Sequence, residues 1–414
     1  MGSLLVNDQG RQHDDASRVI TGGDLTTLTF VLSSLGNGLT QVVVFGQLLR
    51  WQASPATLTL AYMLATLPGF LGSIWGEYLC RKISPLRILI LCEVLGMLAL
   101  IFPLYGLLWH NIPALLAVQS AEALFSGMSY PALTLLLKRG LSTDELPAAT
   151  AMETLIFASQ VLLGTGVGIL LFEVLSPLTL LAIDALSFTA SAVLLASFAA
   201  VFHVVPKSGK KPSPGDGRLP WRNCSPLQRR TILLLPMLAA VGSPAMALLP
   251  AVAQHMRPVD TAELALPLLF ARSLGQLCGP LLLNADQLRR YAGSNGRLLL
   301  CLALFLGGYF LLPLLAGWPL AGLGMIFGAH LASNVVFALG TYGVLRNFGS
   351  EQVASASAMA WRGQVMIAAV ATGCAGWMAE RIGAVSALYS VSLLSLVGVA
   401  ILLWYYRESE DETG

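Results

Sequence analysis

Charge is what this sequence has least of. Of its 414 residues 11% are charged and 56% hydrophobic, whereas a soluble domain carries about 25% charge. A chain of this size folded in water would run out of polar surface, so most of its face must meet lipid. The net charge of +2 implies no nucleic-acid partner and leaves the basic residues to act as topology signals. Cysteine is also scarce: Cys80, Cys92, Cys224, Cys278, Cys301 and Cys374 form no CxxC pair. No disulfide framework, metal site or cofactor is therefore expected. Nucleophile–base pairs and phosphate loops are missing too, so no enzyme is expected. Residues 1–24 lack the apolar core of a cleavable signal, which leaves the first apolar run to direct insertion.

What is present is a series of apolar runs, each of about 20 residues and long enough to cross about 30 Å of hydrocarbon as a helix. Twelve are read, near 25–48, 57–79, 87–109, 113–137, 149–172, 177–202, 230–253, 263–283, 297–315, 319–345, 353–378 and 383–406. They are continuously apolar, where barrel strands would alternate. The fold class expected is therefore an all-α membrane protein with twelve transmembrane helices. With a cytoplasmic N-terminus, nineteen Lys and Arg residues fall inside and three (Arg50, Arg257, Arg381) outside. This asymmetry places both termini in the cytoplasm.

The charged turn Arg139–Glu153, RGLSTDELPAATAME, returns 207 positions later as Arg346–Ala360, RNFGSEQVASASAMA. Four of fifteen positions are identical and six are close substitutions. An offset of half the chain length points to a two-fold internal repeat. A Pro-, Gly- and Lys/Arg-rich stretch between Pro206 and Arg230 falls at the boundary. The domains expected are a tail at 1–24, a six-helix bundle at 25–202, a cytoplasmic linker at 203–229, a second bundle at 230–406 and a tail at 407–414. The two bundles would be pseudo-symmetric.

Six helices, a linker and six helices is the layout of the major facilitator superfamily. PALTLLL at Pro131–Leu137, the turn at Asp144–Leu146, GTGVG at Gly164–Gly168 and DALSF at Asp184–Phe188 resemble its branch containing the enterobactin exporter and related transmembrane secretion proteins. That resemblance implies a major facilitator fold and a bacterial inner-membrane transporter. It also implies a central cavity lined by helices one, four, seven and ten. The chain departs from the usual latch after helix two: Gly76 is followed by Cys80 and Arg81, without an aspartate. Arg81, Lys82 and Arg87 remain, with Glu77 the acid left to hold the gate. The fifth helix keeps the small-residue face of antiporters but not its proline.

Ionisable side chains inside a membrane helix are functional candidates, because each costs a few kcal/mol or more. Glu93, Glu122, Glu153, Asp184, Arg272, His330 and Arg362 lie in or near the runs. Glu122, Arg272 and His330 fall about 12–17 Å from the outer helix ends at 1.5 Å per residue. Polar stripes at helical spacing accompany them. These are Thr29, Ser33, Asn37 and Gln41; Gln119, Glu122, Ser126 and either Ser129 or Tyr130; and His330, Asn334, Phe337 and Thr341. The stripes read as cavity lining, or as interhelical hydrogen bonding. Substrate or proton-coupling residues expected are Glu122, Arg272, His330, Asn37, Gln41, Gln119 and Asn334. The alternative reading makes Glu122 and Arg272 members of structural ion pairs and His330 a packing residue. Gating or inter-bundle residues expected are Arg81, Glu153, Asp184 and Arg362. Gly164, Gly166, Gly168, Gly373 and Gly376 read as close-packing faces.

The function expected is proton-coupled efflux of a small polar or anionic metabolite such as a siderophore, by alternating access. Import with the same fold and multidrug efflux stay open, as does a non-transporting receptor or assembly factor. The partners expected are a small-molecule substrate, protons and the lipid bilayer, with the chain a monomer.

Overall fold

A computed structural model describes residues 38–48, 50–51, 53, 55–140, 146–159, 168–201, 219–257, 261–279 and 282–406. Among these residues the regular structure is helical. The first nine helices are α1 (Gly38–Leu48), α2 (Pro55–Leu64), α3 (Pro68–Cys80), α4 (Pro85–Ala99), α5 (Ile101–Leu108), α6 (Ile112–Gly140), α7 (Leu146–Ser159), α8 (Gly168–Val174) and α9 (Pro177–Val201). After a 3-10 turn at Trp221–Asn223 come α10 (Pro226–Met256), α11 (Thr261–Cys278), α12 (Ala285–Tyr291), α13 (Asn295–Leu311), α14 (Pro319–Asn347), α15 (Val353–Ile382) and α16 (Ala384–Tyr405). Among the described residues seven stretches are long and apolar enough to cross a membrane, including Pro226–Met256, Pro319–Asn347 and Val353–Ile382.

Local chemistry sets the helix starts. Proline opens α2, α3, α4, α9, α10 and α14, where its missing N–H costs nothing and its φ is already helical. At α10, Ser225 and Gln228 form a reciprocal capping box. Gly383, at φ 85°, makes the tight turn between α15 and α16, a conformation glycine adopts without penalty.

The 207-residue repeat reappears in the helix boundaries. Helices α6 and α14 are both 29 residues long and begin at Ile112 and Pro319. Helices α7 and α15 begin at Leu146 and Val353, and α9 and α16 at Pro177 and Ala384. Helix α6 gathers α2 to α5 around it, and α10 gathers α11 and α13 to α16. Between these groups, α3 and α6 pack on α15, while α7 packs on α11, α12 and α14. The pairings are repeat-related: α6 on α15 corresponds to α14 on α7, and α3 on α15 to α11 on α7.

One seam is built twice. A Cβ on Gly72 of α3 would sit 1.9 Å from the Leu124 carbonyl oxygen of α6. A Cβ on Gly279, just past α11, would sit 2.8 Å from the Leu331 carbonyl oxygen of α14. Both residues are 207 positions on from their counterparts. Only glycine lets the backbones come this close.

Several expectations change in detail. The run at 57–79 is divided by a turn at Ala65–Leu67 ahead of Pro68, and the run at 87–109 is interrupted at Leu100. Pro103 supplies no N–H to bridge that interruption. Helix α10 is continuous through Pro236, Pro244 and Pro250. Helix α12 was not foreseen, although its Asn284–Gln287 capping box is visible in the sequence. Gly168 does pack closely, against Val42 and Leu39, whereas Gly373 and Gly376 have open space where a Cβ would stand. Gly164 and Gly166 lie outside the described residues.

Candidate functional site

The face carrying the linker segment Leu219–Ser225 is called the linker face. There the two helix groups are tied together. Glu77, one turn before the end of α3, takes the Arg81 guanidinium at 3.2 Å and that of Arg362 on α15 at 2.9 Å. Ser355, in the first turn of α15, donates to the same Glu77 carboxylate at 2.7 Å. The Leu219 N–H donates to Ser355 Oγ at 3.3 Å. The linker, α3 and α15 thus meet on one carboxylate. Nearby, Lys138 Nζ donates to the Leu345 carbonyl at 2.5 Å. Those two positions are 207 residues apart, so the contact joins repeat equivalents and lies where the two copies face each other.

Deeper in, the rings of Tyr130 (α6) and Trp361 (α15) pack 4.7 Å apart. Tyr130 also approaches Thr341 of α14 and Glu153 of α7. Glu153 is buried, its two carboxyl oxygens lack hydrogen-bond partners, and the Thr134 hydroxyl lies within its electrostatic reach. That hydroxyl donates to the Tyr130 carbonyl at 3.0 Å.

At mid-depth the groups differ in chemistry. On α6, Gln119 is buried and Glu122 half-buried. Gln119 Nε2 and Glu122 Oε1 are buried atoms without hydrogen-bond partners, although such atoms are usually satisfied. Asp184 of α9 lies within electrostatic reach of Glu122. It is itself fully buried and held by the Thr40 hydroxyl and by Ser187 Oγ at 3.2 Å. Asp184 therefore fastens α9 to α1, and Thr40 is a partner that the spacing of the first polar stripe did not single out. Gln41 beside it is half-buried, and Asn37 lies outside the described residues.

In the second group, Arg272 of α11 is half-buried and its Nε has no partner. The carboxylate expected beside it is not found among the described residues. Its electrostatic neighbours are His330 of α14 and Tyr309 of α13. His330 is fully buried, with Nε2 and the Tyr309 hydroxyl 2.8 Å apart and Nδ1 unpartnered. The His330 ring stands edge-on to Phe305. Asn334 Nδ2 and Ser333 Oγ both donate to the His330 carbonyl, each at 3.2 Å. Gln276, one turn after Arg272, has an unpartnered Oε1.

The structure thus brings Arg81 and Arg362 together through Glu77, and Arg272 and His330 together beside Tyr309. Glu153 and Asp184 stay within the first group. Chemically, the first group offers a carboxyl able to gain and lose a proton, and the second a guanidinium able to take an anion. Among the described residues no cluster of His, Cys, Asp and Glu could hold a metal ion.

No protein-family model matches the sequence. A 49-residue stretch is 65% identical to part of an uncharacterized 29.9 kDa protein in the crtE 3' region of Pseudescherichia vulneris, spanning 12% of this chain and 18% of that protein. The whole fold is similar to solved structures. A bacterial homologue of the iron transporter ferroportin, in an outward-facing state, superposes with a TM-score of 0.70 at 13% identity, over 94% of this chain and 99% of that one. The E. coli fucose:proton symporter FucP gives 0.66 at 14% identity, again over 94% and 99%. The proton:xylose symporter XylE gives 0.70 at 12% identity, over 95% and 96%. At such identities the likeness is one of fold: the chain has the fold of these major facilitator superfamily transporters. With seven apolar spans among the described residues, it is a multi-pass membrane protein.

Proposed function

We propose that this chain is a secondary active transporter that exports a small polar or anionic metabolite, such as a siderophore, in exchange for protons. It works as a monomer in a bacterial inner membrane, as twelve spans in two six-helix bundles at 25–202 and 230–406, with both termini and the 203–229 linker cytoplasmic. The observation that carries this reading is Glu122, mid-depth on α6 with a buried, unpartnered carboxyl oxygen. A carboxyl at this place would couple transport to the gradient by taking up a proton when one face is open and releasing it when the other opens. The fold of proton-linked transporters supports the reading, and the resemblance to the enterobactin-exporter branch supports export.

In this reading the Glu77 junction closes the linker face, with Arg81 and Arg362 as gating residues. Glu153 packs beneath it, and Asp184 braces the opposite side. Rocking the two bundles would break the junction and expose the mid-depth residues to the cytoplasm. A second reading is import, favoured by the two proton symporters among the structures of similar fold.

Metabolite profiling of a deletion strain separates the readings. A compound retained in the cells marks export, and one left in the medium marks import. With that compound in proteoliposomes, Glu122→Gln should lower flux driven by a pH gradient by at least about tenfold, an effect of ~1.4 kcal/mol, while exchange without a gradient persists. Undiminished gradient-driven flux removes Glu122 from the mechanism.

A further inference from the structure

At four positions the two copies of the glycine seam exchange small residues for polar ones. In the first copy they are Ala65, Gly69, Ala123 and Gly127; 207 residues on, they are Arg272, Gln276, His330 and Asn334. The first copy shows that small residues suffice to build the seam. A Cβ on Gly69 would meet the Ala123 carbonyl oxygen at 3.0 Å, and one on Gly127 the Gly69 carbonyl oxygen at 2.1 Å. Packing does not call for four polar side chains, so the second copy carries them for another reason.

Their state indicates the reason. Arg272 makes no ion pair among the described residues, and its Nε is buried without a partner. The carboxylates following α11 that the structure describes, Asp286, Glu351 and Glu380, sit in α12, in the turn before α15 and in the last turn of α15. Arg272 forms an ion pair with none of them. An uncompensated guanidinium at mid-membrane is costly, and its counter-charge has to come from elsewhere. Around it, Gln276 Oε1 and His330 Nδ1 also lack partners. Gly275 holds the histidine against α11, since a Cβ there would lie 2.9 Å from His330 Cβ.

We infer that Arg272, with Gln276 and His330 beside it, seats a two-oxygen anionic group of the transported solute, a carboxylate or a phosphoryl. A guanidinium presents Nε–H and Nη–H side by side and binds such a group bidentately. Gln276 Oε1 accepts from a hydroxyl neighbouring the anion, which makes a hydroxycarboxylate the better fit. This inference rests on the transporter reading and names the class of solute.

The test is equilibrium binding to the purified full-length protein, with citrate, tricarballylate, inorganic phosphate and glycerol as probes. Citrate or phosphate should bind saturably and glycerol should not. Tricarballylate, which lacks the hydroxyl, should bind more weakly than citrate, and that difference should vanish in Gln276→Ala. Arg272→Gln should weaken binding at least about 30-fold, and Arg272→Lys, which keeps the charge but not the fork, about tenfold. Failure of both anions to bind the native protein overturns the inference, as does native-like binding by both Arg272 variants. Melting losses of Arg272→Gln and Glu122→Gln that do not add in the double variant, with no anion effect, would make Glu122 the partner and overturn it too. Gradient-driven flux that survives Arg272→Gln would sink the anion site while leaving the transporter reading in place.

Discussion

Gly72 against Leu124 and Gly279 against Leu331 are one contact made twice, yet a Cβ would intrude to 1.9 Å in the first and 2.8 Å in the second. Gly69, Ala123 and Gly127 line the first, so α3 and α6 come together backbone to backbone. Arg272, Gln276, His330 and Asn334 belong to the second, where α11 and α14 still approach at Gly275, whose Cβ would sit 2.4 Å from the Phe327 carbonyl oxygen. The difference is one of side-chain size on a shared scaffold. It teaches that the repeat preserved the close seam while one copy exchanged small side chains for polar ones.

The most damaging way to break this comparison is Gly72→Val. Its Cβ meets backbone rather than a movable side chain, so a loss of more than about 4 kcal/mol is expected, read as failure to recover monodisperse protein. Gly279→Ala should cost about 1–3 kcal/mol by the milder overpacking of its seam, read as a lowered melting temperature in folded protein. Equal losses would mean that the two seams pack alike.

A smaller effect sharpens the polar side. His330→Ala strands the Tyr309 hydroxyl in an apolar setting and opens a cavity, at about 2 kcal/mol. Adding Tyr309→Phe removes the stranded group and should recover about 1 kcal/mol, as measured by a thermal double-mutant cycle. Strictly additive losses would show that the two side chains act independently.

The smallest expected change lies at the linker face. Glu77→Gln weakens a pair whose side chains are 14% and 19% exposed, worth about 1 kcal/mol, between open and fully buried pairs. The reading is the labelling rate of Cys80, buried one turn from Glu77. Opening of this face should raise it about fivefold, followed residue by residue by mass spectrometry. An unchanged rate would mean that this carboxylate does not hold the face closed.

Much of the scaffold was legible in the sequence. Long apolar runs have little alternative to helices in lipid, because each backbone N–H and C=O must be satisfied within its own segment. The expected starts of the later runs therefore fall within a few residues of the helices found. The repeat was visible in one charged turn, and the helix starts at 112 and 319, 146 and 353, and 177 and 384 carry the same offset. Pairing was less legible. Glu77 was named as the acid left near the gate, but Arg362 lies 285 residues away, and nothing local in the chain announces such a contact. The same holds for Thr40 with Asp184, 144 residues apart. Glycine was also misread in part: Gly373 and Gly376 have the spacing of a packing face but no neighbour against it.

The sequence by itself determined a multi-helix membrane chain and its repeat. The first follows from composition and from 1.5 Å of rise per residue, the second from a turn that recurs at a fixed offset. Tertiary structure alone decided which charges are paired. Glu77 gathers Arg81, Arg362 and Ser355 on one face, while Arg272 is left without a counter-ion among the described residues. Coulomb energy depends on distance in space and on local burial, and neither is set by distance along the chain.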